Sequence, residues 1–399
     1  MTPSPAPAPK PVRRKPGCLS RLVMLLAATV FALLLAELVV RMLADEVLPN
    51  PIGPRHLFRR DPVLGIDLRP GFAGRFKLKG EFDVAVKISA QGFRDREFGP
   101  KRPGVQRIMS LGDSFAFGYG VEAEQTYAKV LENLLNDGAE PRKVEVLNAG
   151  ASGRGILHEI EVLERHAAAF QPDVVLLEFF YVNDLLDIKL FPEHTERGGI
   201  VVTRFYGTAV DHNWWLRFSV NYSELSLLLW RTKFNLEMKA QGQSFRLGDQ
   251  ATPGRIWGTD LLRTAADPKH PDQFAETERL WQQFEKHLAT LAADCARVHA
   301  KLLVFAIPQE YQTRDPLWEQ MKRDKEVDDQ RFDRHRIGKK LTEICARQHV
   351  AFFDLVPGFR QTPPKVTRFF PKNKHFNTEG NAFTAELLAK HLRAIGFIR

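Results

Sequence analysis

The chain reads as an α/β protein with a five-stranded parallel sheet covered by helices. Three observations predict this. Short apolar segments alternate with longer segments of helical spacing through the C-terminal three quarters of the chain. One segment, 174–180, is apolar at almost every position, as in a strand buried on both faces. The apolar segments end in Gly, Asx or Pro turns that lead into helices, and strands joined by crossover helices lie parallel.

The elements follow in order. Residues 106–111 form the first core strand, closed by Gly112. Residues 124–136 have helical spacing and stop at Asp137-Gly138. The second strand, 144–148, opens into the glycine-rich loop 149–155. A helix covers 156–170, Gln171-Pro172-Asp173 punctuates, and 174–180 is the third strand, ending in Tyr181-Val182-Asn183-Asp184. After residue 184 the alternation breaks. The segment 185–274 holds Trp214, Trp215, Trp230 and Trp257 and a helical run near 223–236. It reads as an insertion that shapes the substrate site, its Trp residues serving as core or as sugar platforms. The alternation then resumes with a helix over 273–299, a strand at 301–307, a long helix over 324–349, a strand at 350–354 and a closing helix over 378–395. Asn377 is placed to cap that last helix.

Upstream, residues 1–21 form a Pro/Ala-rich tail with Lys10, Arg13, Arg14 and Lys15. Residues 22–43 are a membrane-spanning signal anchor, interrupted by Glu37 near its distal end. The basic flank places the N-terminus in the cytoplasm and the remaining chain in the periplasm of a bacterial cell, on the inner membrane. No small-x-small site follows the apolar run as a cleaved signal peptide requires. Residues 45–103 are rich in Pro, Gly and Arg and include an alternating strand signal at 82–89. They read as a β-structured lead-in to a main domain at 104–399.

The formal charge of +9 is assigned to the membrane-proximal tail and to surface counterions. No nucleic-acid module is visible, and an exported domain rarely meets DNA. Cys18, Cys295 and Cys345 fit no metal spacing. The last two fall in helices among apolar neighbours, as buried free thiols or a bridge. No metal and no cofactor is expected. Gly150-x-x-Gly153-x-Gly155 is a poor dinucleotide signal, because only Asp173 stands near the place of the acidic ribose partner.

Three polar loops converge at strand ends: Asp113-Ser114, the Gly150/Gly153 loop and Asn183-Asp184. A fourth, Lys374-His375-Phe376-Asn377, precedes the last helix. A serine needs a base to act as a nucleophile, and histidine is the usual one. A tetrahedral oxyanion needs donors, which the Ser114 N–H, a glycine N–H and an Asn side chain supply. Asp113 and Asp184 read as loop-holding residues that accept from backbone N–H groups.

These four blocks resemble those of the SGNH/GDSL hydrolases. Gly112-Asp113-Ser114-Phe115 is similar to the nucleophile block. Asn148-Ala-Gly-Ala-Ser-Gly153 is similar to the glycine block, with Gly153 the oxyanion residue and Gly150 a turn residue. Asn183-Asp184 matches the third block, with Tyr181 where that block often has Gly. His375-x-Asn377-x-x-Gly380 resembles the histidine block. The resemblance implies a three-layer α/β/α sandwich of flavodoxin-like type. It implies ester hydrolysis by Ser114 and His375 with an oxyanion hole from Ser114, Gly153 and Asn183.

One departure stands out. The family usually has an acidic residue two or three positions before its histidine, and here those positions hold Asn373 and Lys372. Three readings stay open. Asp354 or Glu310, both at strand ends, supplies the carboxylate; a backbone carbonyl orients His375 and leaves a dyad; or activity is weak or lost. The leading expectation is a membrane-anchored serine esterase acting on acyl esters of an envelope carbohydrate. The alternatives are an O-acyltransferase of the same fold and a non-catalytic carbohydrate-binding scaffold.

Overall fold

The computed structural model describes residues 17–43, 52–137, 143–191, 194–197, 199–203, 214–240, 244–246, 249–251, 261–265, 271–324, 331–361, 363 and 365–398. Most of the N-terminal tail, and Trp257, lie outside these residues. The first element is the apolar helix α1 (Cys18–Met42), long and apolar enough to cross a membrane and exposed along most of its length.

Four short strands precede the sheet, where the sequence signalled one. β1 (Phe58–Asp61) pairs antiparallel with β2 (Gly65–Leu68), and β3 (Ala73–Leu78) pairs antiparallel with β4 (Phe82–Lys87). The missed strands are only four to six residues long and half polar, so their period-2 signal is short. Their apolar faces pool Leu57, Phe58, Ile66, Leu68, Phe76, Val84 and Val86 into a core shared with Phe117. This β unit is therefore packed against the turn that follows Ser114.

The main sheet contains β5 (Gln106–Leu111), β6 (Val144–Asn148), β7 (Val174–Phe179), β12 (Lys301–Ala306) and β13 (Ala351–Asp354), all parallel. Between β7 and β12 lie two antiparallel pairs, β8 (His194–Arg197) with β9 (Ile200–Thr203) and β10 (Ser244–Arg246) with β11 (Asp249–Ala251). The core order is β13-β12-β7-β5-β6. In order of appearance this is 2-1-3-4-5 read from the β6 edge, the flavodoxin-like order, whose switch point lies between the first and third strands. β5 and β7 are those two strands. Every residue of β7 is buried, Glu178 included, in keeping with its nearly unbroken apolar run.

Helices cover both faces. One layer includes α2 (Ser114–Phe117), α3 (Tyr127–Asn136) and the C-terminal α13 (Thr378–Ala394), whose apolar residues join Ile108, Val146, Leu176 and Phe305. The other includes α4 (Ile156–Phe170), α8 (Pro271–Arg297) and α11 (Arg336–Arg347), packed on Met109, Leu147, Val175, Leu177 and Val304. Between them in sequence come α5 (Asp184–Leu190), α6 (Trp214–Tyr222), α7 (Glu224–Ala240), α9 (Glu310–Thr313), α10 (Asp315–Asp324) and α12 (Val356–Arg360). Asn377 caps α13 by accepting from the Gly380 N–H at 2.9 Å.

The long helix expected over 324–349 is shorter than its pattern. α11 begins only at Arg336, after a turn in which the Asp333 side chain accepts from the His335 N–H. The short aspartate side chain offers that backbone a non-helical alternative. Cys295 and Cys345 are buried free thiols, both pushed up to about 12 by burial.

Candidate active site

The site begins where β5 runs out. Gly112 has no room for a side chain. A Cβ there would lie 2.5 Å from a Glu178 carboxyl oxygen and 2.9 Å from the Ala116 Cβ. Gly150, on the loop after β6, is confined in the same way, with the Phe117 backbone nitrogen 2.5 Å from where its Cβ would stand. The two glycines let the loops after β5 and β6 close on the one-turn helix α2. The Ala151 N–H donates to the Gly112 carbonyl at 3.2 Å and ties them together.

Asp113 caps α2. One carboxyl oxygen accepts from the Phe115 N–H at 2.8 Å, and the other from Asn183 Nδ2 at 2.9 Å. Asn183 thus reaches the nucleophile block from the end of β7. Asp184, next to it, accepts from the Phe180 N–H at 2.7 Å.

Beneath Asp113 lies Glu178, fully buried in β7. Burial and the neighbouring Asp113 charge push its pKa well above the usual carboxylate range. Both effects favour its neutral form, and its Oε2 accepts from the Tyr127 hydroxyl at 3.4 Å. In the unfolded chain the same group ionises near pH 4.5. Above that pH the unfolded state gives up a proton that the folded state keeps, so stability falls as pH rises. A Glu178→Gln variant, which keeps the shape but cannot ionise, should gain thermal stability over wild type at pH 8 and gain little at pH 4.5. Melting curves at the two pH values check this.

Ser114 stands at the first position of α2, half-buried. Its Oγ is 2.7 Å from His375 Nε2. The loop carrying His375 is tight, with the Phe370 N–H donating to the His375 carbonyl at 2.8 Å and the Lys374 N–H to the Phe370 carbonyl at 3.2 Å. On its other edge, His375 Nδ1 lies 3.0 Å from Asn373 Oδ1, which also accepts from the His375 N–H at 2.8 Å. An amide oxygen only accepts, so Nδ1 carries the proton and Nε2 presents a lone pair to Ser114.

The ring is half-buried, but two aromatic rings pack on it: Tyr119 stacked at 4.2 Å and 13°, and Phe115 tilted at 4.8 Å and 35°. Burial lowers the imidazole pKa to about 4, against the opposing pull of the Asp113 and Glu81 charges.

Two expected partners are elsewhere. Glu310 pairs with Lys374, its Oε2 2.9 Å from Nζ, and so takes up the charge beside His375 rather than orienting the ring. Asp354 accepts from the Val356 N–H at 2.9 Å and sits against Gly338. Neither carboxylate fills the role expected of it. The partner is the Asn373 side chain, which none of the three readings had considered.

Among the described residues, the Ser114 and Gly153 N–H groups donate to no protein acceptor, whereas the Gly150 N–H is used by Asn148 Oδ1 at 3.1 Å. The loop bearing Gly153 is anchored from the β unit: Arg154, fully buried, donates to the Ala149 carbonyl and to Asp67 Oδ1, both at 2.7 Å. Tyr181, the departure from the third block, turns its hydroxyl to that of Tyr311 inside the core.

Reading the sequence missed Tyr119, Glu81, Arg94 and Arg154. Each is a single residue on a loop or short strand, and nothing in local periodicity marks it.

No family model matches the sequence, and no curated protein matches it. Solved structures do, at low similarity. The chain resembles TesA at 12% identity and a TM-score of 0.36, over 73% of this chain and 99% of that one. It resembles an alpha/beta hydrolase enzyme, LAE5, from the metagenome of Lake Arreo at 13% identity and a TM-score of 0.38, over 76% and 98%. It also resembles a catalytic mutant of Axe2, an acetylxylan esterase from Geobacillus stearothermophilus, at 13% identity and a TM-score of 0.37, over 75% and 99%.

Proposed function

We propose that the protein is a serine esterase of the SGNH/GDSL kind, held at the membrane by α1 with its catalytic domain on the periplasmic side. The observation that carries this reading is the 2.7 Å contact between Ser114 Oγ and His375 Nε2, with the imidazole tautomer set by Asn373. In the reading, His375 takes the Ser114 proton as Oγ attacks an ester carbonyl. The oxyanion is met by the free N–H groups of Ser114 and Gly153 and by Asn183 Nδ2. His375 then returns its proton to the departing alkoxide, and water repeats the cycle on the acyl-enzyme. The substrate class is an acyl ester, acetyl included, of an envelope carbohydrate. Transfer of the acyl group to a sugar hydroxyl is the same chemistry with another acceptor. A non-catalytic scaffold is disfavoured, because nothing in scaffolding requires a serine aligned on an imidazole of fixed tautomer.

A fluorophosphonate probe tests the nucleophile: a covalent adduct on Ser114 is expected, and an intact, unlabelled Ser114 would refute the reading. The pH profile is a second check. His375 must be neutral to accept a proton, so kcat/KM falls as pH drops through its pKa. With that pKa at about 4, the rate should hold steady from pH 7 to pH 5 and fall only below that range. A midpoint at 6 to 7 would mean a solvated ring unlike the one described.

A further inference from the structure

We propose that Glu81, on the turn between β3 and β4, is a positioning residue that fixes the orientation of the Asn373 amide and, through it, the tautomer of His375. This rests on the esterase reading above. An asparagine is ambivalent where an aspartate is not, since its amide can turn either an acceptor or a donor to its neighbour. If Nδ2 faced His375, Nδ1 would lose its proton, Nε2 would gain one, and the ring could not accept from Ser114. The His375 N–H, donating to Oδ1 at 2.8 Å, favours one orientation, and Glu81 locks it from the other side. Its Oε2 accepts from Asn373 Nδ2 at 2.6 Å, and a carboxylate can only accept. The same carboxylate also accepts from the Asn373 N–H at 3.3 Å and from the Lys372 N–H. The amide oxygen is thereby left facing His375. The turn is seated firmly: Lys372 Nζ donates to the Lys79 carbonyl at 3.1 Å, and Phe82 packs on Tyr119 and Phe370 at 5.6 and 5.5 Å. The chain of contacts is Ser114–His375–Asn373–Glu81, with the carboxylate one residue further out than in a triad.

A cycle of variants tests this on the full chain. Glu81→Ala should lower kcat about 10-fold with KM within about twofold, because substrate contacts are untouched. Asn373→Asp alone should also be impaired, since it sets a second carboxylate against Glu81. Asn373→Asp combined with Glu81→Gln should recover to within about threefold of wild type, the glutamine donating to the new aspartate. A Glu81→Ala enzyme with wild-type kcat, or a double variant no better than Asn373→Asp, overturns the proposal. The ¹⁵N spectrum of His375, assigned with His375→Gln, separates this failure from failure of the esterase reading. Nδ1 should carry the proton in wild type and lose it, wholly or in part, in Glu81→Ala, whether or not the protein turns over esters. An unchanged tautomer counts against Glu81 alone.

A different observation carries a second inference. We infer that α6 and α7 form a shelf lying on the outer surface of the same bilayer that α1 crosses. α1 is 25 residues, about 37 Å at 1.5 Å per residue, against a hydrocarbon core of about 30 Å. Glu37 therefore lies at the outer boundary. There its carboxylate accepts from Ser223 Oγ at 2.8 Å, from the Glu224 N–H at 3.0 Å and from the Leu225 N–H at 2.9 Å. Arg41 donates to the Tyr222 carbonyl at 2.8 Å, and Arg55 clamps Glu224 at 2.6 Å. The junction of α6 and α7 is thus bolted to the anchor at headgroup depth. From it α6 projects Trp214, Trp215, Phe218 and Tyr222, all more than half exposed. Trp and Tyr favour the membrane interface, and a patch of this kind facing water is otherwise costly.

The test is tryptophan quenching in the full chain reconstituted into vesicles whose acyl chains are brominated near the headgroup. Emission should be quenched, and Trp214→Phe/Trp215→Phe should remove about half of the quenching, since Trp281 and Trp318 are buried and the variant replaces two of the other four tryptophans. Equal quenching in variant and wild type overturns the shelf and assigns the patch to another partner. No ester turnover enters the measurement.

Discussion

Replacing Ser114 with alanine should abolish ester turnover, lowering kcat by about three orders of magnitude or more while the protein folds as before. Ser114 is half-buried and its side chain contributes one hydrogen bond to the fold, the contact with His375. The cap that starts α2 comes from Asp113 instead. Alanine is a good helix former, so the turn survives. The loss should therefore be chemical. Circular dichroism and the melting temperature check the fold, and hydrolysis of p-nitrophenyl acetate checks the rate. Turnover retained in the variant would mean that ester cleavage, if any, occurs at another place in the chain.

The second large effect concerns stability. Arg94 is almost fully buried, and its guanidinium donates to the carbonyls of Phe117 at 2.9 Å, Gly118 at 2.7 Å, Ala85 at 3.1 Å and Val121 at 2.6 Å. Burial pulls its pKa down to about 10, so it remains charged at neutral pH. It lies 4.9 Å from the centre of the Phe117 ring as well. The carbonyls it serves come from β4 and from the turn after α2, so a single side chain fastens the β unit to the nucleophile loop. Arg94→Met fills much of the same volume but leaves buried carbonyls without donors. The expected cost is about 3 kcal/mol or more. For a protein of this size that is a fall in melting temperature of roughly 4–5 °C. A loss below about 1 kcal/mol would mean that water reaches these carbonyls.

The parallel sheet was legible because its signals are local. An apolar run such as 174–180 and a glycine at a strand end each speak through a few adjacent residues. For the same reason the sequence placed Ser114 and His375 at strand and helix ends, and the structure sets them in contact. What was not legible depends on residues distant in sequence. Asn373 beside His375 reads as a missing acid until Glu81 is seen behind it. The pair of Tyr119 and His375 shows only when α2 and the last loop pack together. The segment 185–274 reads as an insertion from its broken rhythm, yet the exposure of Trp214 and Trp215 could not be read from their hydrophobicity. Apolar residues in a chain with a helix long and apolar enough to cross a membrane have two places to go, and composition does not choose between them.

The hydrogen bond between Glu81 and Asn373 joins positions 292 residues apart, and the bond between Ser114 and His375 joins positions 261 apart. Contacts of such span form late, after the intervening chain has paid its ordering entropy. A partly made chain holds a serine without a base, and a chain missing its first strands holds a base without an orienting group. The alignment of Ser114, His375, Asn373 and Glu81 is then the last feature the molecule acquires. On the proposed reading, a chain in which these two contacts have not yet formed would cleave no ester.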